Sequence, residues 1–88
     1  MRILKLSDNV SLKQYQEKYM LFDNLNGNIY KLNRLSYEIL LLCDGKSTDE
    51  DIINNIINNF AVSAEKAAKD FDDIINMLLD KQYVLNII

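Results

Sequence analysis

The chain contains no histidine and no proline, and it has a single cysteine, Cys43. Without histidine there is no imidazole for a nucleophile triad, a proton shuttle or a histidine metal site. One cysteine builds neither an internal disulfide nor a multi-thiolate metal centre. The two glycines, Gly27 and Gly45, belong to no phosphate-binding loop, and so little glycine without proline excludes collagen-like and linker-like classes. The longest uninterrupted apolar run, Ile39 to Cys43, is five residues, against the roughly 20 that cross a bilayer. The apolar stretch after Met1 is too short for a signal peptide, so the expected location is the cytoplasm, away from membranes. These absences argue against a self-contained enzyme and against any resident cofactor or metal.

What is present is ordinary for a globular protein: 49% apolar and 26% charged residues in a chain of 88, enough for one domain with one core. The net charge of −3 is unevenly spread. Residues 1–37 carry six basic groups against three acids, and residues 38–88 carry four against ten. Duplex nucleic acid calls for a basic footprint, whereas a two-signed surface suits a protein partner.

Hydrophobic spacing orders the elements. Arg2–Ser7 reads as a short strand, and the polar, aperiodic stretch Asp8–Glu17 as a loop. Lys18–Asn24 is aromatic-rich and apolar, as a central strand is. Asn24-Leu25-Asn26-Gly27-Asn28 is the strongest turn signal, because Asn-Gly tolerates the positive φ of a tight hairpin. Asn28–Leu32 returns as the second arm. Asn33 caps a helix over Arg34–Asp44, with Gly45 at its left-handed end. Ser47-Thr48-Asp49-Glu50 has the spacing of a capping box and opens a second helix, whose Ile52, Ile53, Ile56, Ile57 and Phe60 form an apolar stripe. Ser63 caps a third helix over Ala64–Lys81, and Tyr83–Ile88 is a short apolar strand or extended tail. The fold class is α+β and winged-helix-like, an N-terminal three-stranded antiparallel sheet followed by three helices, in one domain spanning 1–88.

Candidates for chemistry give way to structural roles. Cys43 sits near a helix C-terminus, where the dipole disfavours a thiolate. Asp49, Glu50 and Asp51 lack the alternating oxygen ligands of a calcium loop and suit the positive end of the second helix. Asp70, Asp72, Asp73 and Asp80 lie on a solvated face of the third helix. The exposed faces of the second and third helices are rich in acids, which a DNA-reading helix avoids. A small sheet must leave an edge, and edges are covered, paired or used. Asn28–Leu32 is one such edge. It is covered by the 8–17 loop, paired with a second copy, or open to an extended peptide.

The residues also carry a resemblance. Ile29-Tyr30-Lys31-Leu32-Asn33, then Ile39, then Leu42-Cys43-Asp44-Gly45-Lys46-Ser47-Thr48 and Ile52, resemble the Tyr-x-Leu-Asn, Leu-x-Asp-Gly and Thr-x-x-x-Ile pattern of the PqqD family. Asp70-Phe71-x-x-Ile74-Ile75-x-x-Leu78 is similar to its third-helix motif. Gln82 stands where the family has a glycine, which puts the end of that helix in question. The likeness runs over about residues 18–85. It implies a RiPP recognition element, a non-catalytic domain of natural-product biosynthesis (PQQ biosynthesis in the family's name). Such a domain binds the leader of a ribosomally made precursor peptide and presents it to a modifying enzyme, such as a radical S-adenosylmethionine protein or a leader peptidase. The leader would add to the strand Asn28, Ile29, Tyr30, Lys31 and Leu32, in a cleft beside the third helix. The cleft would be lined by Asp72, Ile75, Asn76 and Leu79, or on the rival flank by Asp70, Ile74 and Met77. The alternatives are a winged-helix DNA-binding regulator and a homodimerising interaction module.

Overall fold

A computed structural model describes residues 2–88, and among them six strands and three helices. The strands form two separate antiparallel sheets. In the first, β1 (Ile3–Leu6) lies between β5 (Asp44–Thr48) and β6 (Val84–Asn86). In the second, β3 (Lys18–Asp23) lies between β2 (Val10–Tyr15) and β4 (Ile29–Leu32). The helices are α1 (Arg34–Leu41), α2 (Asp49–Asn59) and α3 (Ala64–Asp80). No helix of the described residues is long and apolar enough to cross a membrane.

One core holds the layers together. Ile39 and Leu40 of α1, Ile52 and Ile56 of α2, and Phe71, Ile75 and Leu78 of α3 meet Leu4, Leu21 and Val84 from the sheets, all essentially without exposure. Each such side chain contributes about 1.5–3 kcal/mol by leaving water. All three helices start on side-chain caps. Asn33 accepts from the Ser36 amide at 2.7 Å, Thr48 from Asp51 at 3.2 Å, and Ser63 from Lys66 at 3.1 Å.

The α+β class and the three helices are as the sequence indicates, but the sheets are built differently. Residues 10–15, expected in a loop, form β2 and pair with β3 in unbroken register from Val10↔Asp23 to Tyr15↔Lys18. The two-residue turn between them places Gln16 at φ 56°, a conformation that carries no glycine or asparagine signal here. The N-terminal strand, expected beside β3, instead joins β5 and β6, so the chain's beginning, middle and end meet in one sheet. Residues 44–48, read as a helix end and a cap, are strand β5. Gly45 does adopt a left-handed φ of 81°, within that strand and opposite the register shift in β1. The capping box lies one residue later than expected, between Thr48 and Asp51.

Gln82 takes the left-handed position after α3 with φ 63°. The amides of Gln82 and Tyr83 donate to the carbonyls of Leu79 and Leu78 at 3.1 and 2.9 Å. That bonding pattern is a Schellman motif, so the helix end forms without the glycine.

Candidate functional site

The order β2-β3-β4 puts β4 at an edge. Because β2 lies on the far side of β3, the 8–17 segment leaves that edge uncovered. The phase of the ladder decides which backbone groups face outward. The Asp23 amide donates to the Asn28 carbonyl at 2.8 Å, marking Asp23/Asn28 as a hydrogen-bonded pair. Hydrogen-bonded and open pairs alternate in an antiparallel ladder. With Phe22↔Ile29, Leu21↔Tyr30, Met20↔Lys31 and Tyr19↔Leu32 in register, Tyr30 and Leu32 bond to β3. Ile29 and Lys31 turn their N–H and C=O groups to the open edge. The Asn24 amide, which donates to Asn9 at 2.8 Å on the β2 side, fixes the same phase independently.

The strand is held rigidly from its inner face. The Tyr30 ring meets the Tyr83 ring edge-on at 5.6 Å, and Lys81 Nζ lies 5.6 Å from the Tyr30 centroid. Tyr83 donates its hydroxyl to Asp23 Oδ2 at 2.8 Å, and the Tyr30 oxygen lies 3.5 Å from that of Tyr83. Asp23, buried at 2% exposure, also accepts from the amides of Leu25 and Asn26 at 3.0 Å each. These bonds, the Asn26 amide foremost and then Tyr83, lower its pKa to about 2. The Tyr83 pKa is pushed up to about 12 by its hydrogen bonds to Tyr30 and Asp23. Asp23 thus ties the hairpin loop to the start of β6 and presents β4 with its outer edge free.

Beside the end of β4 lies a groove of about 320 Å³. Asn33, Leu35 and Ser36 line it from the start of α1, and Asp70, Asp73, Ile74 and Met77 from α3. Of the two flanks of the third helix, the structure brings Asp70, Ile74 and Met77 to the groove. Ile75 is completely buried in the core and has no surface to offer, which corrects its placement in a cleft. Asp72 and Asn76 are exposed but stand two residues either side of Ile74, about 200° around the helix, so they face away from the groove. Leu79 packs half-buried against the core. Leu35, Ser36 and Asp73 carry no sequence signal of a site, and Asn33 signals only its cap. Their convergence depends on how α1 crosses α3, which no local pattern encodes. A second hollow of about 210 Å³ flanks the same end of the strand, lined by Lys18, Met20 and Lys31 together with Glu17, Tyr19 and Leu32.

Elsewhere the chain offers little chemistry. Burial pushes the Cys43 thiol up to about 12, with Asp44 and Asp49 adding to the shift, so no thiolate is available near neutrality. Among the described residues no group of three or more metal-ligating side chains comes together.

The family model for "Coenzyme PQQ synthesis protein D (PqqD)" matches residues 18–84, which takes in β3, β4 and all three helices. The chain belongs to the PqqD family. No curated protein sequence matches it. Among solved structures, that of TbiB1 in complex with the TbiA(beta) leader peptide is 21% identical, with a TM-score of 0.76 over 91% of this chain and 93% of that one. Lasso peptide synthetase B1 complexed with the leader peptide is 18% identical, with a TM-score of 0.78 over 94% and 98%. The heterocyclase TruD is 17% identical with a TM-score of 0.69, and there 99% of this chain corresponds to 12% of the larger one. At such identities the likeness establishes the fold, a PqqD-type, winged-helix-like α+β domain.

Proposed function

We propose that this PqqD-family chain is a non-catalytic recognition domain. In this reading an extended leader segment of a ribosomally made precursor peptide adds as a strand to β4 and lays alternate side chains into the groove beside α3. The observation that carries the proposal is the open edge of β4, where the backbone groups of Ile29 and Lys31 face outward next to a groove lined from α1 and α3. Strand addition draws affinity from main-chain hydrogen bonds and selectivity from pockets for alternate side chains, and both parts stand side by side here. Two similar folds, TbiB1 and lasso peptide synthetase B1, are known as complexes with leader peptides, which supports the same use.

The binding residues in this proposal are Asn28 to Leu32, with Asp70, Asp73, Ile74 and Met77 on the helix side. A leader made on the ribosome is met in the cytoplasm, where we place the chain. Its second partner would be the modifying enzyme that acts on the core of the bound precursor. Resemblance to the family favours a radical S-adenosylmethionine enzyme or a leader peptidase. The likeness to part of a heterocyclase adds that enzyme class. The test is to synthesise the precursor peptides encoded beside this gene and titrate their leader and core halves separately. Leader halves should bind, and mass spectrometry should show the peptide unchanged by this chain alone. Binding confined to core halves, or covalent change without another enzyme, would overturn the proposal.

A further inference from the structure

The two sides of the β4 edge carry opposite charge. On the helix side, near Asn33, the groove is lined by Asp70 and Asp73 and by no basic residue. Each acid meets a lysine one turn earlier through its Oδ2, Lys66 Nζ at 3.1 Å and Lys69 Nζ at 2.8 Å. Both are surface pairs, which water and salt weaken. The groove also has an apolar lining, Leu35, Ile74 and Met77.

On the other side, side-chain alternation sends Lys13, Lys18, Met20, Phe22, Ile29 and Lys31 to the outer face of the sheet. Met20, Phe22 and Ile29 do not pack against the core. None of the ion pairs among the described residues involves Lys13, Lys18 or Lys31. The one acid lining the hollow on this side is Glu17, in the β2–β3 turn. Lys81 lies toward the opposite end of the helix side, over Tyr30. The contrast of sign is therefore sharpest around Lys31, Leu32 and Asn33.

We infer that the preferred ligand strand carries an acidic residue opposite Lys31 and a basic residue an odd number of positions away, toward Asn33. The inference rests on strand addition to β4 and adds a sequence rule to it. Successive side chains of an added strand point to opposite faces, so charges one or three residues apart fall on opposite sides of the sheet. An acid on the outer side reaches the lysines of the smaller hollow, Lys18 and Lys31. A lysine or arginine on the helix side lays its aliphatic stem on Ile74 and Met77 and extends its head to Asp70 and Asp73. Charges two residues apart would share a face, and one of them would meet its own sign.

A display library of random peptides about a dozen residues long tests this directly, with one strand longer than β4 in each peptide. Binders lost on Lys31→Pro but retained on Lys31→Ala are kept, because only the proline takes away the amide of the β4 edge. Among these, opposite charges should be enriched at odd spacing. Synthetic binders should outbind isomers with the same charges at even spacing by about threefold to thirtyfold at low salt, and the gap should close in high salt. Asp70→Asn with Asp73→Asn should remove the basic preference and keep the acidic one, and Lys31→Gln should do the converse. Edge binders without odd-spaced charges would overturn the inference while strand addition stands. A library with no binder sensitive to Lys31→Pro would overturn both.

Discussion

Proline scanning of β4 turns the ladder phase into numbers. The Lys31 amide is not spent on β3, because Met20↔Lys31 is an open pair. Lys31→Pro therefore leaves the β3–β4 ladder intact, and the extended backbone tolerates proline at an edge. A ligand carbonyl facing position 31 then loses its donor. A lost hydrogen bond together with a stranded buried acceptor costs about 1–3 kcal/mol, roughly fivefold to 150-fold in Kd. Lys31→Ala keeps the amide and removes only a charge, worth about 0.2–1 kcal/mol. Tyr30→Pro acts on the other phase. It removes an amide bonded to β3 and the ring that meets Tyr83 and Lys81. A loss of about 3 kcal/mol or more follows, a large part of the stability of so small a domain. Circular dichroism melts and titration of one selected peptide read both effects. A folded Lys31→Pro variant that binds as tightly as the wild type would refute the reasoning, and so would a Tyr30→Pro variant as stable as the wild type.

Three further outcomes are expected. Ile56, 1% exposed in the core, should cost about 2–5 kcal/mol as Ile56→Ala, read as a fall in the urea midpoint; a loss under about 0.5 kcal/mol would place it at the surface. Gln82→Gly should relieve the left-handed φ of 63° and stabilise by roughly 0.5–1 kcal/mol, raising Tm by about 2–8 °C; an unchanged or lower Tm would mean that the glutamine is not strained. Asp23, with its folded pKa lowered from 3.8 to about 2, contributes stability above pH 4 that is lost as pH falls toward 2, whereas Tyr83, raised from 10.0 to about 12, contributes below pH 10 and loses it as pH rises toward 12. Thermal melts of Tyr83→Phe should depend less steeply on pH than wild type at both ends, between pH 4 and 2 and between pH 10 and 12.

The helices were legible because their signals are local. The caps Asn33 and Ser63 and the stripe through Ile52 and Ile56 each declare themselves within a few residues. The hairpin of β3 and β4 was legible through Asn26-Gly27, and Gly27 does take φ 78°. β2 was not, because its turn at Gln16-Glu17 has no turn residue and its outer half, from Lys13 to Tyr15, is exposed. The sheet of β5, β1 and β6 was hidden for a different reason. β1 pairs with segments more than 35 residues away, and only the closed fold brings them together. Of the candidate site, strand Asn28–Leu32 could be named from sequence, but not its open amides, which depend on ladder phase. The flank of α3 could not be chosen by periodicity, because Ile74 and Ile75 both belong to its apolar stripe. Only the assembled core buries Ile75 and leaves Ile74 at the groove.

Residue-resolved amide exchange with a bound peptide tests strand addition to β4 most directly. Tyr30 and Leu32 should change little, because their amides already bond to β3 in the free protein. Ile29 and Lys31 should slow by at least about tenfold, as expected for exposed amides that gain a stable partner. Protection that appears instead on the outward amides of β2, at Leu12 and Gln14, or that leaves Ile29 and Lys31 exchanging as in the free chain, would contradict it.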